Sequence, residues 1–342
     1  MGWTLKDWGV LRTLENGAFE QRLIFPPGWF SRFPMPFIWI LARMARSWLT
    51  ASAATDRVVV LSYPQYVPIL DKLSGIRSVY YWSDDFFSYW PARRHRVMQA
   101  EAAAVHATDM TITASVSKCD ELRARFPACA NKIHFLIHGH HPSLDTPNNC
   151  GIAAGLPPDL SHLPRPVFGH WGNISRHLDM EIALAVAKAF PTASLVFVGP
   201  VSANFENRQT QAFEALRKLD NVHFVGPRPY DSIAAYLVAF DVCLCLYRPD
   251  ISFCQVINPS KVRDYLASGR PIVSTAIPEV IKLWGSLVNV ASCADEFVSG
   301  IRVALKDRNY EARVSYAREH SYEKVAERLR ELLLGNPAQR PG

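Results

Sequence analysis

At 342 residues the chain exceeds what one hydrophobic core usually organises, so its length favours two domains with room for a cleft between them. Hydrophobic residues make up 49% and charged residues 20%, a balance that excludes an intrinsically disordered chain. The formal net charge of +6 is spread out, with 17 basic against 13 acidic residues through residue 165. Without a basic run no nucleic-acid partner is expected, and the charge supports only a mild preference for anionic ligands.

The opening segment Met1-Gly2-Trp3-Thr4-Leu5-Lys6-Asp7 carries charges where a signal peptide needs apolar residues, and nowhere do about 18 apolar residues run together. The chain is therefore expected to be neither secreted nor membrane-spanning, and to be cytoplasmic. Cys119, Cys129, Cys150, Cys243, Cys245, Cys254 and Cys293 show no C-x-x-C pair and no zinc-like spacing, and read as reduced thiols. Residues 29–49 combine Trp29, Phe30, Phe33 and Phe37 with Arg43 and Arg46. Aromatic and cationic side chains together suit an anionic membrane surface, which would place the protein peripherally at the inner membrane face. An ordinary core helix with snorkelling arginines is the competing reading.

Short apolar and β-branched runs then alternate with longer helical patterns, the mark of β-α-β units and a parallel sheet. The first series is Arg22–Phe25, Val58–Leu61, Val79–Trp82, Met110–Thr113 and Ile133–Ile137. No strand is read before Arg22, so this domain is expected to be shortened. Beyond its third run, Asp84 and Asp85 place two adjacent carboxylates where a strand ends, either to bind or deprotonate an acceptor hydroxyl or to cap a helix. His138-Gly139-His140-His141 follows the last run. Imidazoles so crowded lack the spaced second element that a metal site needs, and the segment reads as a cleft-facing loop.

Periodicity vanishes in the Gly-, Pro- and Asn-rich text that follows. A second series begins with Val167–Trp171 and continues with Leu195–Val198, Val222–Val225, Val242–Leu246, Pro271–Ser274 and Leu287–Val290. Ligands of such doubly wound sheets sit beyond the carboxyl ends of the strands. The turns after Trp171 (Gly172, Asn173) and Val198 (Gly199, Pro200) are candidate amide nests for phosphate, and Lys261, near the start of a predicted helix, is a candidate counter-charge.

The stretch Asn258-Pro259-Ser260-Lys261-Val262-Arg263-Asp264-Tyr265-Leu266-Ala267-Ser268-Gly269-Arg270-Pro271-Ile272-Val273 resembles the N-P-x-K-x-x-E-Y-L-A-x-G-x-P-V-V segment of GT-B fold glycosyltransferases of teichuronic-acid and exopolysaccharide synthesis. The segments Gly226-Pro227-Arg228-Pro229-Tyr230 and Ala317-Arg318-Glu319-His320-Ser321-Tyr322-Glu323 are similar to that family's base-binding loop and the start of its closing helix.

The resemblance implies an α/β protein of GT-B fold, two Rossmann-like doubly wound domains facing a cleft. It divides the chain into an acceptor-side domain (1–150), a linker (151–165), a donor domain (166–310), a closing helix returning to the first domain (311–334) and a tail (335–342). The implied activity is transfer of a hexose-type sugar from a nucleoside-diphosphate sugar to a glycan or lipid-linked acceptor, with retention and with no cofactor or essential metal. Donor contacts would fall on Gly172, Asn173, Gly199, Pro200, Arg228, Tyr230, Asn258, Pro259, Ser260 and Asp264, and catalytic roles on Asp84, Asp85, Arg176 and Lys261.

Arg176 stands where relatives often keep a basic residue against the diphosphate, and is expected in the first turn of a helix. Two positions depart from the family pattern. Of two acids usually separated by seven residues, the second is Asp264 and the first is replaced by Val256; His170 stands where many relatives have Arg. A non-catalytic nucleotide-sugar-binding protein, or an epimerase or hydrolase on the same fold, remain alternatives at this stage.

Overall fold

The computed structural model describes residues 11–13, 19–21, 34–51, 57–73, 75–85, 88, 91–145, 156–202 and 204–334. Two short strands, β1 (Leu11–Thr13) and β2 (Phe19–Gln21), pair antiparallel. They correct the expectation of no strand before Arg22: three residues are too few for alternation to register in the sequence. The Arg22–Phe25 run itself lies outside the described residues.

The first domain is a parallel sheet in the order β3 (Val58–Leu61), β4 (Arg77–Trp82), β5 (Met110–Thr113), β6 (Ile133–Phe135). Helices α1 (Pro34–Ala51), α2 (Arg94–Ala107) and α3 (Val116–Arg125) accompany it. Ile38 and Ala42 of α1 join Leu61, Tyr80, Trp82, Val105 and Leu122 in its core. Met35 and Trp39 on one flank of α1 and Trp48 on the other are exposed.

The second domain is a six-stranded parallel sheet. Its strands are β7 (Val167–Trp171), β8 (Ser194–Val198), β9 (Val222–Gly226), β10 (Val242–Cys245), β11 (Ile272–Thr275) and β12 (Asn289–Ala291), in the order β12-β11-β10-β7-β8-β9. Helices α4 (Met180–Ala189), α5 (Asn207–Leu216), α6 (Ile233–Ala239), α7 (Ser260–Ala267), α8 (Pro278–Trp284) and α9 (Ala294–Ala304) make the crossovers. Alternation along β8 sends Val196 and Val198 to one core and Leu195 and Phe197 to the other, as a sheet covered on both faces requires. Strand order reverses between β7 and β10, which opens a crevice beyond their carboxyl ends.

The stretch 311–334, read as one closing helix, is instead two, α10 (Tyr310–Glu319) and α11 (Tyr322–Leu334). Ser321 separates them, its hydroxyl accepting from Lys324 N at 3.3 Å. α10 stays with the second domain, where buried Arg313 bonds the Gly269 carbonyl at 3.0 Å and Asp307 at 3.0 Å. α11 crosses to the first, laying Val325, Leu329, Leu332 and Leu333 on Val79, Met110, Ile112 and Leu136. That spacing is one face of an amphipathic helix.

The domains are joined by Glu279, in the first turn of α8 and fully buried. Its carboxylate accepts from Ser115 Oγ at 2.9 Å, Val116 N at 3.1 Å and Ser117 N at 2.6 Å, capping α3 of the other domain. Lys282 adds an ion pair to Asp120 at 3.0 Å, and Asn258 Nδ2 donates to the Ala114 carbonyl at 2.9 Å.

Candidate active site

The crevice at the reversal point is built by two glycines. Gly172 (φ +127) ends β7 and Gly199 (φ +148) ends β8. A Cβ on Gly199 would overlap the Gly172 carbonyl, so the loops pack backbone against backbone. Gly172 N donates to Val198 O at 2.9 Å, Ile174 N to Pro200 O at 2.9 Å and Gly199 N to Gly226 O at 3.0 Å. These amides extend the sheet ladder, so the expected amide nests are corrected at Gly172 and Gly199: the glycines supply close approach, and the positive charge comes from elsewhere.

It comes from Lys261, on the first turn of α7 and 6% exposed. Its Nζ lies 3.4 Å from His170 Nε2 and 4.3 Å from the Tyr247 ring centre. Fully buried His170 is held well below the ordinary imidazole range by burial and by Lys261, so it is neutral. Its Nδ1 lies 3.2 Å from the Leu244 carbonyl. A proton there leaves Nε2 to accept from Lys261. Burial lowers Lys261 itself to about 8, and among the described residues no carboxylate pairs with it.

Around Lys261 opens a cavity of about 540 Å³, of a size that accommodates a nucleotide-sized ligand. Nine expected donor-side residues line it: Gly172, Asn173, Gly199, Pro200, Arg228, Tyr230, Ser260, Lys261 and Asp264. Trp171, His177, Tyr247 and Phe253 line it too and were not anticipated; nothing in their local sequence distinguishes them from core aromatics. Asn258 and Pro259 lie outside the lining. Asn258 is bound to Ala114 O and to Arg263 Nη1, and Pro259 is the N-cap of α7.

Asp264, 3% exposed, accepts from His141 N at 2.9 Å and from Tyr230 Oη at 3.3 Å, and its carboxyl is raised by burial. Arg228 is held by Asp159 at 2.8 Å and Tyr236 Oη at 2.9 Å, which fixes the loop after β9 at the cavity rim.

A second cavity lies between the domains and shares His177 and Phe253 with the first. Trp82, Asp85, Arg94, Lys118 and Arg125 line it from one side, and Arg176, Ile251 and Val256 from the other. Asp85, 6% exposed, accepts from the Ser88 hydroxyl, and Asp84 Oδ1 accepts from Asp85 N at 2.8 Å. Tyr247 is held far above the usual phenol range, mainly by burial, with Asp84 among the charges that add to it. The Asp84 charge is thus felt at the floor of the Lys261 cavity.

Arg176 is not in the first turn of a helix as expected. It sits in a tight turn closed by Leu178 N to Ser175 O at 2.9 Å, ahead of α4, and faces the second cavity. The turn follows from the extra ladder bonds at Ile174, which delay the helix to Met180.

The histidine loop faces several partners. His138 bonds Tyr81 Oη and is lowered to about 4 by burial and Arg263; His140 lies 2.6 Å from Asp145, and His141 Nδ1 lies 2.7 Å from Ser143 Oγ.

Residues 165–307 match the family model described as Glycosyl transferases group 1. A Bacillus subtilis (strain 168) protein, TuaH, named for glycosyl transfer in teichuronic acid biosynthesis, is 26% identical over 194 residues, 56% of this chain and 46% of its own length. The chain thus spans about half of that curated relative. Among solved structures, Anabaena Alr3699/HepE with UDP superposes at a TM-score of 0.67 with 16% identity over 87% of this chain and 82% of that one. The same protein with UDP-glucose gives 0.63, 15%, 91% and 85%. WaaG, a glycosyltransferase involved in lipopolysaccharide biosynthesis, gives 0.61, 14%, 93% and 86%. The fold is therefore GT-B, and residues 165–307, most of the second domain, are similar to the group 1 glycosyltransferases.

Proposed function

We propose that the chain transfers a sugar from a uridine-diphosphate sugar to a glycan or lipid-linked acceptor in cell-surface polysaccharide synthesis, with retention of configuration. The observation that carries this reading is Lys261, a buried cation with no carboxylate partner among the described residues, in a cavity at the strand-order reversal. A diphosphate leaving group needs a fixed positive charge more than it needs a proton donor. Lys261 supplies it without a divalent metal, and no cofactor is required. HepE, of the same fold, was solved with UDP and with UDP-glucose, and the TuaH and WaaG names point to cell-surface glycans.

The donor sugar would leave the first cavity by its shared wall at His177 and Phe253 and meet the acceptor in the second. Asp85, lining that cavity, and Asp84, whose charge reaches Tyr247, are the groups proposed to hold the attacking hydroxyl. The exposed Met35 and Trp39 of α1, with Arg43 and Arg46 on the same side of the helix, would rest the protein against an anionic cytoplasmic membrane face. Residues 29–33 of that expected contact lie outside the described residues.

Calorimetry without added metal tests the donor half: UDP should bind wild type and lose affinity by about tenfold or more in Lys261→Ala. Binding of no nucleotide at all would remove the transferase reading. For the chemistry, Asp85→Asn and Asp84→Asn should keep UDP affinity while at least one of them cuts UDP-glucose turnover by about a hundredfold; wild-type rates in both would clear the carboxylates of any role.

A further inference from the structure

The cavity between the domains is lined by four cations, Arg94, Lys118, Arg125 and Arg176, against two carboxylates, Asp85 and Glu121. Two of those cations are matched. Glu101, 1% exposed behind them, lies 3.0 Å from Lys118 and 2.9 Å from Arg125, and Glu121 lies 2.9 Å from Lys118. Arg94, opening α2 in the first domain, and Arg176, in the turn before α4 in the second, have no carboxylate partner among the described residues. Trp82 lines the same cavity at 2% exposure, and its indole N–H finds no acceptor among the described residues. A buried donor left so favours a ligand that brings an acceptor to it.

We propose that this cavity is the acceptor subsite and that it selects an acceptor bearing an anionic group, a carboxylate or a phosphate, held between Arg94 and Arg176. The inference rests on the glycosyl-transfer reading above, because the acceptor role comes from the wall shared with the donor cavity. Guanidinium groups present paired N–H donors that match carboxylate and phosphate oxygens, and a neutral sugar would leave both charges uncompensated. Asp85 would repel an anion placed beside it. The acceptor is therefore read as two-ended, with its nucleophilic hydroxyl toward Asp85 and its negative group toward the arginines. Arg176 lines this cavity and not the Lys261 cavity, whereas its neighbours Ser175 and His177 line the latter. It serves the acceptor, and the donor diphosphate is left to Lys261.

The test is calorimetric binding of soluble probes to the full chain: a neutral disaccharide, the same disaccharide ending in a uronic acid, and a short-chain prenyl diphosphate. One acidic probe should bind about tenfold or more tighter than the neutral one, and which of them does so tells a glycan carboxylate from a lipid-carrier phosphate. Arg94→Ala and Arg176→Ala should each weaken that probe about tenfold, Arg94→Lys should weaken it less, and UDP affinity should hold in Arg94→Ala. Both arginines are exposed, so these variants should fold. Equal binding of neutral and acidic probes, or wild-type binding of the acidic probe by the double variant, would overturn the proposal. So would an Arg176→Ala protein that keeps the acidic probe and loses UDP. UDP titrated into the same wild-type sample keeps the two readings apart: acidic-probe binding without UDP binding removes the transferase reading and leaves the anion site.

Discussion

Lys261 is a cation maintained in the interior at a cost that its neighbours in the protein repay only in part. Burial takes its pKa from 10.5 to about 8, a penalty on the order of 3 kcal/mol for the charged form. His170 and Tyr247 offset part of it through a lone pair and a ring face. Neutral His170 leaves Lys261 as the charge at this point, so on the proposed reading this one residue would carry the anion affinity. Lys261→Met should therefore raise the melting temperature of the unliganded protein by about 2–4 °C while weakening UDP about tenfold or more; a fall in melting temperature would show the lysine to be a structural cation. pH separates the two effects. Above pH 8 the folded protein releases the Lys261 proton, so UDP affinity should drop as pH rises toward 10 in wild type and stay flat in Lys261→Met. Across the same window the unfolded chain still holds its lysine proton, so wild-type stability from this site rises with pH. Titrations at stepped pH read both slopes.

The strands were legible because an apolar run of four or five residues in a doubly covered sheet has few other places to go: Val58–Leu61, Met110–Thr113 and Val167–Trp171 fall where the sequence puts them. The loops were less so. That Gly172 and Gly199 would line the crevice could be read from a glycine after each strand; that their amides would be consumed by neighbouring strands could not, because the partners Val198 and Gly226 lie far along the chain. Arg176 was misplaced for a related reason, since the bridge from Ile174 to Val201 holds back the helix start. Tyr247, His177 and Phe253 carry no local mark of a binding residue, and their position depends on the β7–β10 reversal. Gly199→Ala tests the backbone contact itself. With φ at +148 and the Gly172 carbonyl in the way, it should destabilise the protein by about 2 kcal/mol or more and weaken UDP, as thermal unfolding and calorimetry would read. Wild-type stability would mean the two loops can separate freely.

At the scale of the whole molecule, the resemblance in one helix and strand anticipated the two-sheet plan, but nothing in the local text marked Glu279 as the residue that joins the sheets. In sequence it is an ordinary acid in a first helical turn; in the fold it caps a helix of the other domain through three hydrogen bonds. Glu279→Gln puts an amide donor among those N–H groups and should cost about 2–3 kcal/mol, with a larger radius of gyration in solution scattering as the domains part. Lys282→Ala, removing the partly exposed ion pair to Asp120, should shift stability by less than about 1 kcal/mol. Equal effects of the two would deny Glu279 its special place. The domains it joins define the cleft, and the cleft defines where a donor must lie. A crystal structure grown with UDP and without added metal bears on that most directly. The diphosphate should lie in the crevice between Gly172 and Gly199 with an oxygen about 3 Å from Lys261 Nζ; UDP bound with its diphosphate away from Lys261, or held through a metal ion, would contradict it.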